Sequence, residues 1–237
     1  MARERFWCIS EADRLRARFY SNFLQAGDLA FDIGANVGER SKAFLMAGAK
    51  VVAVEPQDFC AEALQVHCRE RGDFRLVQCA LGAASGEAEM RIASSSTMSS
   101  LSQGWIQSVT ESHRMGETKW DRTVRVPVRT LDSLMAEFGV PKFAKVDVEG
   151  YENEVLKGLS RPIPAMSLEF TPEYFRATEE CIQRLRGLGA PRFQISLGES
   201  MEFLLPDWVG GDRILDELKR VPSDEFGDLY VSFEDGR

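Results

Sequence analysis

Apolar positions along the chain follow two rhythms. Leu15, Phe19, Phe23 and Leu24 recur at helical spacing among arginines, which predicts an amphipathic helix over residues 11 to 26 with its aromatic stripe in the core. Short apolar runs then follow at 29–33, 50–54, 74–79, 143–148, 165–170, 193–197 and 229–233, each the length of a strand. Segments of helical period lie between them, at 39–47, 58–71, 131–138, 152–159, 172–187 and 212–220. Asp58 is placed as a helix N-cap and Pro172 at a helix start. Seven sheet strands with interposed helices imply an α/β fold, a mostly parallel sheet with helices on both faces.

Residues 87 to 128 break this alternation. The stretches 89–92 and 123–128 alternate polar and apolar residues, as a half-exposed antiparallel hairpin would. Between them, residues 93 to 120 are rich in serine and carry Met98, Trp105, Met115 and Trp120. This segment reads as an irregular flap over the substrate side, with a plain surface loop as the alternative. The expected organisation is one domain over 1–237, with a helical extension at 1–26 and the inserted hairpin and flap at 87–128.

Composition narrows the partners. The formal net charge of -8 disfavours a duplex nucleic acid, whose binders carry a basic face. No apolar run is long enough for a membrane span, and the N-terminal residues lack a secretory apolar stretch. Five cysteines without metal-ligand spacing point to reduced thiols and a cytoplasmic setting. With His67 and His113 as the only histidines, no histidine-rich metal site is expected. A homo-oligomer stays open.

The chemistry gathers at Asp32-Ile33-Gly34-Ala35-Asn36-Val37-Gly38, where an apolar run meets an acid and then two glycines four positions apart. This is a strand, a glycine turn and a helix N-terminus, the usual start of a nucleotide site. Gly34 permits a tight exit from the strand, and Gly38 lets the next helix pack close. A dinucleotide fingerprint has glycine at the middle position, where Asn36 stands, so a pyrophosphate is disfavoured. Asp32 suits a cationic ligand, and S-adenosylmethionine carries an ammonium and a sulfonium but no phosphate. Glu55 ends the second apolar run at the distance where a ribose-binding acid belongs. Asp32, Glu55, Cys79-Ala80, Asp147 to Glu149 and Glu169 all fall at strand ends, where α/β sheets bind ligands.

An ordered set of segments then resembles a known family. Asp32 to Gly38, Val54-Glu55-Pro56, Ala80-Leu81-Gly82, Thr130 to Leu134 and Lys145 to Glu152 are similar to the FkbM-type S-adenosylmethionine-dependent methyltransferases. The resemblance implies a Rossmann-like class I methyltransferase sheet whose last strand is antiparallel. It also implies methyl transfer from S-adenosyl-L-methionine, typically O-methylation of a hydroxyl on a sugar, glycan or small natural product. Position by position, it implies that Asp32, Gly34, Ala35, Asn36 and Gly38 form the first cofactor motif. Glu55 and Pro56 would serve the ribose and Ala80 and Leu81 the adenine edge. Asp147, Glu149 and Glu152 match the family's acidic block, whose individual roles the resemblance leaves open, with Asp147 also counted among the cofactor-binding residues. Ser99-Ser100-Leu101 resembles an element of the family's insertion.

An alcohol acceptor needs a base within reach. Asp147 leads the candidates, with Glu149 and His113 after it and Glu169 also at the rim. Lys145, Asp147 and Glu149 would share one face if their strand continues that far. Glu152 reads first as an acid favoured by a helix N-terminus, and Lys145 as a partner for a neighbouring acid. A cation on Asp147 and Glu169 is the lesser reading, and no metal is expected. The rival functions are an NAD-dependent oxidoreductase and a non-catalytic subunit that binds S-adenosylmethionine.

Overall fold

The computed structural model describes residue 4 and residues 6–68, 70–114 and 116–234. Met115 and most of the first five residues therefore lie outside the described residues. In chain order the elements are α1 (Glu11–Tyr20), β1 (Leu29–Ile33), α2 (Glu39–Met46), β2 (Lys50–Val54), α3 (Asp58–Cys68) and β3 (Phe74–Val77). Then come β4 (Ala80–Leu81), β5 (Gly86–Ile92), α4 (Gln103–Glu111), β6 (Arg122–Arg129), α5 (Leu131–Phe138) and β7 (Phe143–Val146). The last are α6 (Glu152–Lys157), β8 (Ala165–Phe170), α7 (Phe175–Arg186), β9 (Arg192–Leu197), α8 (Gly211–Leu218) and β10 (Gly227–Ser232).

Seven strands form one sheet in the order β3-β2-β1-β7-β8-β10-β9. All neighbouring pairs are parallel except those of β10, which runs antiparallel to both β8 and β9. This is the class I methyltransferase-like sheet, and its order reverses at β1. Strand alternation sends successive residues to two cores. Phe31, Ile33, Val146 and Leu168 join Leu131, Leu156, Ile182 and Ile214 on one face. Ala30, Ala53, Phe143 and Tyr230 join Tyr20, Phe23, Phe44 and Leu64 on the other.

Several sequence expectations are corrected. α1 stops at Tyr20 with Leu15 exposed, while Phe23 and Leu24 are buried just beyond the helix. Asp58 is the first helical residue rather than the cap, and its carboxylate accepts from the Gln78 amide at 2.6 Å. Pro172 starts a single 3-10 turn ahead of α7. The expected hairpin is a three-stranded sheet in the order β4-β6-β5, because Ala80 and Leu81 pair with Val128 and Arg129. The serine-rich insertion is not irregular. Ser102 caps α4, and Trp105, Val109, Trp120 and Ala93 form their own buried cluster against Met98 and Tyr174. Burial of two indoles gives the insertion a small core of its own.

Candidate active site

The cleft opens at the carboxyl ends of β1, β2 and β7. Gly34 leaves β1 with φ 82°, and a Cβ there would lie 1.8 Å from the backbone oxygen of Asp147. Only glycine lets the two strand ends touch in this way. Asn36 follows with φ 48°, a left-handed value that asparagine tolerates better than most residues.

Glu55 is buried at the end of β2. Its carboxylate accepts from the backbone N–H of Asn36 and of Gln57, each at 2.8 Å. One side chain thereby ties the glycine turn to the β2 end. Burial raises its pKa, and the two backbone donors pull it back down. Its remaining acceptor lone pairs are those a diol would use.

The cleft is lined by Ile33, Gly34 and Asn36 from the first turn and by Val54, Glu55, Pro56 and Gln57 from the second. Cys79, Ala80, Leu81 and Met90 give it an apolar end, and the insertion adds Ser96, Thr97, Ser99 and Leu101. Asp147, Val148, Glu149 and Tyr151 complete it. Its charged groups are Glu55, Asp147 and Glu149, three carboxylates with no lysine, arginine or histidine among the described lining.

At the β7 end the strand stops at Val146, two residues short of expectation. Lys145 is buried and reaches Asp228 of β10 at 2.8 Å and Asp147 at 3.2 Å. Burial alone would lower the lysine pKa, but the Asp147 and Asp228 charges outweigh it and hold the ammonium well above its ordinary range. Glu149 adopts φ 54° and Gly150 φ 84°, so the chain turns instead of continuing the alternation. Glu152 is buried beneath this turn and accepts from the N–H groups of Val148 and Gly150 at 3.0 and 3.3 Å. Burial pushes Glu152 up to about 7, and its backbone donors oppose the shift.

Glu169, at the end of β8, faces this turn. Carboxylate oxygens of Asp147, Glu149 and Glu169 lie within 4.8 Å of one another. Burial raises the pKa of Glu149 and of Glu169 well above the ordinary carboxylate range, and the neighbouring Asp147 charge adds to it. The spacing would admit an oxygen-liganded cation, but the Lys145 ammonium already supplies positive charge to Asp147.

Several expected residues stand elsewhere. Asp32 is buried behind the glycine turn, where it accepts from the Ser41 hydroxyl at 2.6 Å and anchors α2. Gly38 packs against α3, where a Cβ would meet Leu64 at 2.6 Å. Ala35 lines a neighbouring cavity with Glu39, Arg40, Thr97, Asp147 and Glu199. His113 is exposed on the insertion at φ 56° and lines neither cavity. Arg40 and Glu199, paired at 2.5 Å, were not singled out in the sequence, because β9 and α2 bring them together over 159 positions.

A family model described as the methyltransferase FkbM domain matches residues 32–202. The chain belongs to this FkbM methyltransferase family. No curated protein matches the chain. Among solved structures, this FkbM domain is similar to a precorrin-6y C5,15-methyltransferase from Geobacter metallireducens, at 10% identity and TM-score 0.48, over 98% of this chain and 97% of that one. It is also similar to Aeropyrum pernix fibrillarin in complex with S-adenosyl-L-methionine, at 11% identity and TM-score 0.42, over 93% and 75%. In this FkbM chain no helix among the described residues is long and apolar enough to cross a membrane.

Proposed function

We propose that this FkbM-family methyltransferase transfers the methyl group of S-adenosyl-L-methionine to a hydroxyl of a sugar, glycan or small natural product. The observation that carries the cofactor reading is the charge of the cleft, three carboxylates and no cation among its described lining. A pyrophosphate would meet only like charge there, whereas a sulfonium and an ammonium are attracted. The residues fit the group. Glu55 would hold the ribose hydroxyls, Ala80, Leu81 and Met90 the adenine, and the Gly34–Asn36 turn with Asp147 the methionine part.

When bound, S-adenosylmethionine supplies a methyl group on a good leaving group, so positioning provides much of the acceleration. The protein must also take the acceptor's proton. Asp147 is ion-paired with Lys145 at the reactive end. Burial raises the proton affinity of Glu149 and Glu169 above the ordinary carboxylate range, the direction that suits a general base. One of these carboxylates would accept the proton of an acceptor hydroxyl held beside it.

Calorimetric titration with S-adenosylmethionine, its demethylated product and NAD tests the cofactor. Binding of the first two and not of NAD is expected, and tighter binding of NAD would overturn the assignment. A screen of hydroxylated sugars and small natural products with labelled methyl donor then tests the acceptor class. Transfer only to amines would remove the O-methylation reading.

A further inference from the structure

The insertion carries a side chain that no role in the cleft explains. Trp105, in the first turn of α4, is 1% exposed and lines no part of the cofactor cleft. A Cβ on Gly150 would lie 2.3 Å from the Cβ of Trp105, so the side chain rests directly on that glycine's backbone. On another side its Nε1–H donates to the Thr171 hydroxyl at 3.0 Å, with both groups buried. Gly150 is the residue after Glu149, and Thr171 stands two residues after Glu169. One indole therefore bridges the two loops that present the two glutamates.

The neighbours reinforce this contact. The Ser100 hydroxyl donates to the backbone oxygen of Glu149 at 2.6 Å, and the Ser102 N–H donates to the Ser100 hydroxyl at 2.8 Å. The Ser102 hydroxyl in turn accepts from the Trp105 N–H at 3.1 Å. A chain of hydrogen bonds thus runs from Glu149 to the start of α4. From below, Glu152 accepts from the N–H groups on either side of Glu149. A left-handed glutamate persists only where its surroundings over-determine it, and such sites cluster where function needs a held geometry.

Like charges at this spacing push apart unless the frame is rigid. Asp147 and Glu152 add repulsion, while Lys145 and Arg114 relieve it. Those are the charged groups that face the pair.

The geometry points to Trp105 as a positioning residue for methyl transfer: through Gly150 and Thr171 it fixes the separation of Glu149 and Glu169. The inference rests on the reading of those two glutamates as the proton acceptor. On this account the insertion is part of the catalytic frame, more than a cover over it.

The test is a carbon-detected NMR titration of the ligand-free full chain labelled with side-chain carboxyl ¹³C-glutamate, with Glu149→Gln and Glu169→Gln to assign the two signals. Trp105→Phe keeps an aromatic ring and removes the N–H, and Thr171→Val removes its acceptor. In each variant the midpoints of Glu149 and Glu169 are expected to fall by one pH unit or more, a tenfold loss of proton affinity, with Glu55 unmoved. Unshifted midpoints in the folded variants, with only a lower melting temperature, would make Trp105 a plain core residue and overturn the proposal. If Trp105→Phe does not fold, Thr171→Val decides alone. Adding S-adenosylmethionine to the wild-type sample reads the functional assignment separately. Absent binding with the expected midpoint shifts would sink the cofactor reading and keep the Trp105 frame.

Discussion

The two ends of the cleft treat their acids in opposite ways. On the β1–β2 side, Asp32 and Glu55 each accept from donors within the protein. Asp32 takes the Ser41 hydroxyl, and Glu55 takes two backbone N–H groups of the turns it joins. On the β7–β8 side, Glu149 and Glu169 face each other and Asp147 with no such donors to their carboxylates among the described residues. Burial raises the pKa of Asp32 and of Glu55, and the donors to each oppose the shift. Burial raises Glu149 and Glu169 well above the ordinary carboxylate range, and the neighbouring carboxylates add to it. On the proposed reading, the first end would hold the cofactor and the second would take the acceptor's proton.

Four measurements bear on this contrast. The largest effect is expected from Glu149→Gln combined with Glu169→Gln, which should lower methyl transfer about 10²–10⁴-fold, far more than it lowers cofactor affinity. Near-full turnover in the double variant would place the base elsewhere, with Asp147→Asn as the next variant to assay.

The second concerns Glu152, whose folded pKa of about 7 stands above its ordinary 4.5. A raised acid binds its proton more tightly when folded, so its stabilising contribution is complete below about pH 4.5 and is lost as pH rises through 7. Glu152→Gln keeps the acceptor oxygen and cannot ionise. It should match the wild type near pH 4 and exceed it above pH 8 by roughly 3 kcal/mol in denaturant unfolding. Identical pH profiles would show that Glu152 titrates normally.

The third is Glu55→Ala, which should weaken S-adenosylmethionine binding by about 1.5–3 kcal/mol in calorimetry, since charged hydrogen bonds are of that size. It also frees two backbone N–H groups, so Glu55→Gln separates the loss of charge from the loss of shape. Unchanged affinity in both variants would remove Glu55 from the ligand. The smallest effect is expected at His113. His113→Ala should leave turnover and stability within about 0.5 kcal/mol, as exposed substitutions do, and a large loss of turnover would bring the insertion's tip into the chemistry.

The binding end was far more legible in the sequence than the reactive end, for a physical reason. A glycine turn and its acid are local features. Residues 32 to 38 and Glu55 announce themselves by spacing, and β1 and β2 were read to the residue. Gly38 allows the close packing its position suggested, against Leu64, whereas Asp32, read toward a cationic ligand, is buried on Ser41, a partner that spacing does not report. The reactive end depends on distant pairs. Glu149 meets Glu169 across two strands, and the left-handed step at Glu149 ended β7 where alternation suggested continuation. α4 was hidden by its serines, although Ser102 followed by Trp105, Ile106 and Val109 is a capped apolar face. The two residues of β4 are too few for any pattern to register.

The placement of β10 has a consequence for how the molecule is made. Its residues, 227 to 232, come last among the strands, yet β10 lies inside the sheet between β8 and β9. Asp228 arrives with it, and Asp228 is the nearer partner of Lys145. While the chain is being synthesised, Lys145 and Asp147 therefore exist before their companion does, and β8 presents an open edge that another chain could occupy. The reactive end is finished by the last strand to emerge. A chain ending anywhere between residues 170 and 227 has every lining residue of the cofactor cleft and lacks the Asp228 partner of Lys145.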